Sequence, residues 1–281
     1  MPVTRFAPSP TGLLHLGHLH SALSGWTRAR ANGGRFLLRL EDIDATRCRP
    51  FFADAIARDL AWAGLDWDGP VRVQSAHLGA YQTVLDQLAE RELLYPCFCT
   101  RAAIQADIAA SGSAPHQAPD GSALYPGTCR RLAPGERADR LAAGQAAAFR
   151  LDMGRAVREA GRGLERFEEG QGRLRCRPDL FGDVVLARKE VPASYHLCVT
   201  HDDALQGVSL VTRGIDLEPS TDLHRLLQAL MGWPEPAYAH HGLLRDETGR
   251  RLAKRDAALT LQAMRASGIT PTAIRVMAGF A

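Results

Sequence analysis

The sequence predicts an α/β protein: a doubly wound parallel sheet, split by an insertion and closed by a short helical tail. Three observations predict it. The chain opens on a strand, a Pro/Gly loop, a helix and a second strand, the order of a βαβ unit. Strand and helix texture resumes beyond residue 180. Between the two, residues 96–180 are loop-like and dense in charge and glycine. At roughly 150 residues per domain, 281 residues suggest two domains or one with an insertion.

The first strand is Val3-Thr4-Arg5-Phe6-Ala7, broken by Pro8-Ser9-Pro10-Thr11-Gly12. A helix is predicted from Gly17 to Arg30, ending near Asn32-Gly33-Gly34, and Arg35 to Leu40 alternates as the second strand. Phe51 to Leu65 and Leu78 to Leu94 have amphipathic helical patterns, parted by the turn Asp66-Trp67-Asp68-Gly69-Pro70. Ser111 to Gly121 reads as loop, and Arg130 to Gly172 offers one strand, Ala147–Leu151. Further strands are expected at Asp183–Arg188 and Val208–Thr212, then a helix over Ser220–Met231 capped by Ser220 or Thr221. Asp256 to Ala281 reads as two short helices parted by Gly268 and Pro271. The chain therefore divides into 1–95, the insertion 96–180, and 181–281 with the tail.

Composition narrows the function classes. No apolar run approaches the roughly 18 residues of a membrane span, and Met1 to Arg5 lacks a secretory core, so a cytoplasmic protein is expected. The net charge of +3 neither demands nor excludes a nucleic-acid partner. Of the 34 Lys and Arg residues only Lys189 and Lys254 are lysines, which makes their positions worth locating. Six cysteines occur in a chain for which disulfides are not expected, so Cys97-Phe98-Cys99 is either part of a metal site or a pair of buried thiols.

The strongest local signal is the loop between the first strand and first helix. A helix N-terminus with free N–H groups is an anion site, and His15 and His18, three apart, can donate to phosphate oxygens there. Gly17 removes a side chain where a base could pack. The other reading is two surface histidines at a capped helix. At the end of the second strand, Glu41, Asp42 and Asp44 could hold an ammonium, a ribose or a metal, or form a solvated acidic turn.

The run Arg5-Phe6-Ala7-Pro8-Ser9-Pro10-Thr11-Gly12-Leu13-Leu14-His15-Leu16-Gly17-His18 resembles the class I aminoacyl-tRNA synthetase signature, and more closely its glutamyl and glutaminyl branch. Arg39-Leu40-Glu41-Asp42-Ile43-Asp44 resembles the acidic motif of that branch. So do Asp183 to Arg188, Pro192 to Leu197, Asp202-Asp203 and Val211-Thr212-Arg213-Gly214 in order. Arg251-Leu252-Ala253-Lys254-Arg255 resembles the mobile lysine loop, with Ala253 where a serine is usual. The resemblance implies a class I catalytic domain with an acceptor-arm-like insertion, acting on ATP, accompanied by magnesium, and L-glutamate. It implies that Pro8, His15, Gly17, His18 and Lys254 serve ATP, with His15, His18 and Lys254 catalytic. It assigns Arg5, Phe6, Ala7, Pro8, Ser9, Glu41, Tyr195 and Arg213 to glutamate, with Glu41 on the α-ammonium. The physics agrees, because an arginine fork near the pocket favours a carboxylate over an amide.

Three thiols, Cys97, Cys99 and Cys129, supply most of a tetrahedral zinc site. On general grounds His116 is the usual type of fourth ligand. The pattern Cys-x-Cys followed by Tyr-x-x-x-Cys resembles the short glutamyl-queuosine tRNA(Asp) synthetase subfamily, which implies Tyr125 instead, with one structural zinc. That resemblance also implies transfer of glutamate to the wobble queuosine of tRNA(Asp), by a monomer. Alternatives are a glutamyl-tRNA synthetase charging a 3′ end, a nucleotidyltransferase of a smaller substrate, and a non-enzymatic tRNA-binding paralogue. A length of 281 residues leaves no space for a separate anticodon-binding region, so the anticodon loop is expected to enter the catalytic site itself.

Overall fold

A computed structural model of the chain describes residues 1–110, 117–161, 163–244 and 260–280. The order begins β1 (Val3–Phe6), α1 (Leu16–Ala31), β2 (Arg35–Leu40), α2 (Pro50–Trp62), β3 (Arg72–Val73) and α3 (Leu78–Glu90). It continues β4 (Leu94–Cys97), α4 (Arg101–Ala110), α5 (Pro134–Ala142), β5 (Ala148–Leu151), α6 (Met153–Ala160), β6 (Glu165–Glu168) and β7 (Gly172–Arg175). It closes with β8 (Val185–Ala187), α7 (Tyr195–Leu205), β9 (Leu210–Gly214), α8 (Ser220–Met231), β10 (Ala237–His241), α9 (Leu261–Ala266) and α10 (Pro271–Met277).

β1, β2 and β3 pair in parallel, and so do β9 and β10. The two groups meet where the Ser209 N–H donates to the Val3 carbonyl at 3.0 Å, which places β9 beside β1. The parallel order is therefore β3-β2-β1-β9-β10, with the chain reversing direction across the sheet between β1 and β9. Side chains alternate along β2 as a pleated strand requires. Phe36, Leu38 and Leu40 enter one apolar cluster with Phe6, Leu19, Leu23 and Ile56, while Leu37 enters another with Val211 and Tyr238. Arg39 shares the second face and is fully buried.

Several elements differ from the sequence reading, each for a non-local reason. The helix expected over 78–94 stops at Glu90. Glu92 takes a left-handed backbone (φ 55°), and the Leu93 N–H turns back to the Leu88 carbonyl at 2.9 Å, which frees Leu94–Cys97 to become a strand. The strand expected at 183–188 is β8, but it pairs antiparallel with β5, which pairs antiparallel with β4, so these three form a separate sheet. The glycine-rich stretch before residue 180 contains a hairpin, β6–β7, and β6 extends the parallel sheet by pairing with β10. The helix α8 is not capped by Ser220 or Thr221: Pro219 is the N-cap, no side chain caps it, and both hydroxyl residues are buried. Thr221 instead accepts a hydrogen bond from Arg213, described below. The tail does form two short helices, capped by Thr260 and Thr270.

Candidate active site

The loop after β1 ends on His15, which is the N-cap of α1. The Gly17 N–H donates to His15 Nδ1 at 3.1 Å, and the His15 N–H donates to His18 Nδ1 at 3.2 Å. The two rings stack with centroids 3.8 Å apart. Because each Nδ1 accepts from a backbone N–H, each neutral imidazole carries its proton on Nε2. The helix therefore presents two fixed Nε2–H donors beside its positive end. A Cβ at position 17 would come within 3.1 Å of the His15 ring, so Gly17 makes space for that capping ring.

A cavity of about 330 Å³ opens at the carboxyl ends of β1 and β2. Ser9, Thr11, Glu41, Gln74, Arg188 and Tyr195 are among the residues that line it. Sites at the carboxyl ends of strands are usual for sheets of this type. The Glu41 N–H donates to the Pro8 carbonyl at 3.0 Å, which ties the end of β2 to the first loop. Glu41 is 8% exposed, and its Oε1 has no hydrogen-bond partner; the Arg39 guanidinium lies 3.7 Å away. Burial pushes this carboxyl up to about 7, against the pull of Arg39 and Arg5. A buried carboxylate with an open oxygen is suited to a cation that enters the cavity.

Behind Glu41 lies an ionic frame. Asp203 accepts from Arg5 Nε at 3.0 Å and from Arg39 Nη2 at 2.7 Å. Arg39 Nη1 donates to Gln206 at 2.9 Å, and Arg5 Nη1 to the Thr212 carbonyl at 3.1 Å. Asp202, fully buried, accepts from Tyr81 at 2.8 Å, pairs with Arg72 at 2.9 Å and meets His201 at 2.9 Å. Burial alone would raise its pKa, but these partners hold it well below the usual carboxylate range. Arg5 is thus fixed by Asp203 rather than directed at the cavity alone.

Arg213, on β9, is 4% exposed and has neutral partners. Its Nε donates to His240 at 3.3 Å, its Nη1 meets His224 Nδ1 at 3.1 Å, and its Nη2 donates to the Thr221 hydroxyl. Among the described residues it makes no ion pair. Its partner His224 meets the Tyr195 ring with centroids 5.7 Å apart; burial pushes that phenol up, and Arg213 is the strongest charge opposing the shift.

Sequence-predicted residues thus fall into three groups. Ser9, Glu41 and Tyr195 share the cavity; Arg213 is not among its lining residues and is joined to Tyr195 through His224. Phe6 points into the apolar cluster under α1, and Pro8 offers its carbonyl to Glu41. Lys254 and His116 lie outside the described residues. Sequence reasoning assigned no role to Gln74, Gln206, His196, His224, His240 and Glu168, which come from separated elements and share no spacing that would flag them.

In the insertion, the sulfurs of Cys97, Cys99 and Cys129 all lie within 4.8 Å of one another. The Tyr125 hydroxyl is 3.4 Å from Cys97 Sγ and 3.5 Å from Cys99 Sγ. Zinc–sulfur bonds of about 2.3 Å at tetrahedral angles need sulfurs about 3.8 Å apart, so three thiols and one phenol oxygen form a set that can hold a metal. The Phe98 N–H donates to Cys129 Sγ, and Arg150 stacks on the Tyr125 ring at 3.8 Å.

The sequence model of the family described as tRNA synthetases class I (E and Q), catalytic domain, matches residues 2–279. A Rhodobacter capsulatus protein described as glutamyl-Q tRNA(Asp) synthetase is 47% identical over 292 residues, covering 99% of each chain. A Nocardia farcinica protein of the same description is 47% identical over 267 residues, covering 95% of this chain and 80% of that one. A solved glutamate tRNA ligase from Elizabethkingia meningosepticum, in complex with its amino acid, superposes with a TM-score of 0.76 at 29% identity. That match covers 91% of this chain and 52% of the ligase, so the chain spans about half the ligase's length.

Proposed function

The chain belongs to the glutamyl and glutaminyl class I tRNA synthetase family, and from that premise we propose that it activates L-glutamate with ATP and transfers it to the queuosine base at the wobble position of tRNA(Asp). One observation carries the reading of the substrate. Among the described residues, Glu41 offers a buried carboxylate oxygen without a hydrogen-bond partner, and Arg213 a buried guanidinium whose partners are neutral. An amino acid with an acidic side chain satisfies both: its α-ammonium meets Glu41, and its side-chain carboxylate meets Arg213. Tyr195 and Ser9 line the cavity with Glu41, and Arg5, Phe6, Ala7 and Pro8 belong to the strand and loop beside it, where Pro8 is bonded to Glu41 and Arg5 to Asp203.

In the first step the glutamate α-carboxylate attacks the α-phosphorus of ATP. An O–P bond forms, the bond to the β-phosphate oxygen breaks, and pyrophosphate leaves. His15 and His18 donate from Nε2 to phosphate oxygens as charge moves onto them, Gly17 keeps the His15 ring in its capping position, and Lys254 adds a mobile point charge. No side-chain nucleophile is needed; positioning and electrostatics supply the rate. Magnesium enters with ATP. In the second step the mixed anhydride passes its glutamyl group to a hydroxyl of the acceptor nucleoside and releases AMP.

Cys97, Cys99, Tyr125 and Cys129 would hold one structural zinc, which would tie together the insertion of residues 96–180 between the halves 1–95 and 181–281. No helix among the described residues is long and apolar enough to cross a membrane. The enzyme works in the cytoplasm as a monomer, with the tRNA(Asp) anticodon loop at the cavity mouth.

Pyrophosphate exchange with ATP and labelled glutamate, run first without tRNA and then with queuosine-containing tRNA(Asp), tests the reading. Exchange without tRNA and label on the queuosine nucleoside are expected. Label on the terminal adenosine of a glutamate tRNA would assign the chain to 3′-end charging, and no exchange at all would leave a tRNA-binding protein.

A further inference from the structure

We infer that His224 and His240 are positioning residues that determine specificity: they clamp Arg213 through uncharged acceptors, so that its positive charge is kept for the acidic side chain of the substrate. The inference rests on the reading of Arg213 given above. Other buried arginines of this protein are neutralised where they stand. Arg5 and Arg39 both lean on Asp203, at 3.0 and 2.7 Å. An arginine cancelled by a carboxylate would hold a neutral amide as readily as an acid.

The hydrogen-bond logic is closed. A guanidinium has five donors and no acceptor. His224 Nδ1 and His240 Nε2 therefore both accept from it, at 3.1 and 3.3 Å. His224 must then carry its proton on Nε2, which faces His196 Nδ1 at 3.1 Å. His240 must carry its proton on Nδ1, which faces the Glu168 carboxylate at 2.9 Å. The His240 backbone N–H donates to the same carboxylate at 3.0 Å, so the ring is anchored twice. Each imidazole is thus held in the tautomer that offers Arg213 a lone pair. Burial supports this, since it keeps His224 and His240 below the ordinary histidine range and brings His196 down to about 4. With Thr221 on Nη2, three of the five guanidinium N–H groups are occupied, leaving one on each terminal nitrogen for a carboxylate.

Histidine at 224 therefore does what aspartate could not: it orients the fork without cancelling it. Pyrophosphate exchange by the full chain, with glutamate and separately with glutamine, tests this. His224→Leu should raise the glutamate KM roughly tenfold or more, as expected for losing a hydrogen bond to a charged group, with kcat and the ATP KM nearly unchanged. His224→Asn keeps a neutral acceptor and should recover most of that loss. His224→Asp should lower the ratio of glutamate to glutamine efficiency by roughly tenfold or more, because it supplies an acceptor that cancels the charge. A ratio unchanged in His224→Asp, or His224→Asn no better than His224→Leu, would overturn the inference, and thermal melts of each variant exclude misfolding as the cause. Arg213→Ala separates the two levels. If it raises the glutamate KM while the His224 variants do not, the clamp is refuted and the substrate reading stands. If Arg213→Ala leaves that KM unchanged, the reading of Arg213 falls as well.

Discussion

Around the cavity, Arg5 and Arg39 are buried on the sheet face opposite an apolar cluster of 18 buried residues, and Asp202 and Asp203 on a helix that enters a cluster of 19, whereas the cysteine set of the insertion stands on a cluster of four, Tyr95, Cys97, Phe98 and Cys129. The two regions hold polar groups out of water by different means. In the first, the buried charges largely neutralise one another, while Glu41 keeps an oxygen without a hydrogen bond and Arg213, among the described residues, has no ion pair. In the second there is little apolar area to spend, and the donor atoms converge on a space that a metal would fill. The first region should therefore be stable before any ligand arrives, and the second should depend on its ion.

The largest effect should come from breaking the ionic frame. Asp203→Asn leaves Arg5 and Arg39 buried with Glu41 as their nearest carboxylate, and removing one partner of a buried pair costs about 3–5 kcal/mol. Denaturant unfolding should show this loss across the whole parallel sheet. A loss below about 1 kcal/mol, the level of an exposed pair, would mean that the frame is not a frame.

Glu41→Gln should act in the opposite direction. The carboxyl moves from its ordinary 4.5 to about 7 in the folded protein. The folded state therefore holds its proton more tightly than the unfolded state does. Stability is intact below pH 4.5 and is lost as pH rises from there through 7. The variant, which cannot ionise, should gain up to about 3 kcal/mol at pH 8 and almost nothing at pH 4, while glutamate activation is lost. Equal stability of the two proteins in melts at pH 8 would contradict the burial of an open carboxylate.

The smallest global effect should come from the insertion. Cys129→Ser removes one thiol of the donor set and should release the metal, with the main unfolding transition almost unmoved. Cleavage by protease within residues 96–180 should become roughly tenfold faster, which corresponds to about 1.4 kcal/mol of local opening. Metal analysis and peptide mapping measure both outcomes; a stoichiometric metal content retained in the variant would remove Cys129 from the set.

The first loop was legible because its interactions are local. His15, Gly17 and His18 bond to one another within one turn of helix, so a short motif contains the whole device. Glu41 was legible as the end of a strand that follows the same loop. The clamp on Arg213 was not, since His224 and His240, with Glu168 behind His240, arrive from α8, β10 and β6, and residues so far apart in the chain share no spacing signal. The same holds for β8, whose residues read as one more strand of the main sheet and pair instead with β5.

What the sequence determined by itself was the order of elements from β1 to β2, the helix end with its paired histidines and the cysteine set, because each depends on neighbours along the chain or on residue type alone. The tertiary structure decided which strands share a sheet, which arginines are paired with carboxylates and which one rests on neutral partners. Those outcomes depend on groups far apart in the chain, Arg5 and Asp203 by 198 residues, and charge compensation at that distance is set by how the chain packs rather than by what any segment prefers.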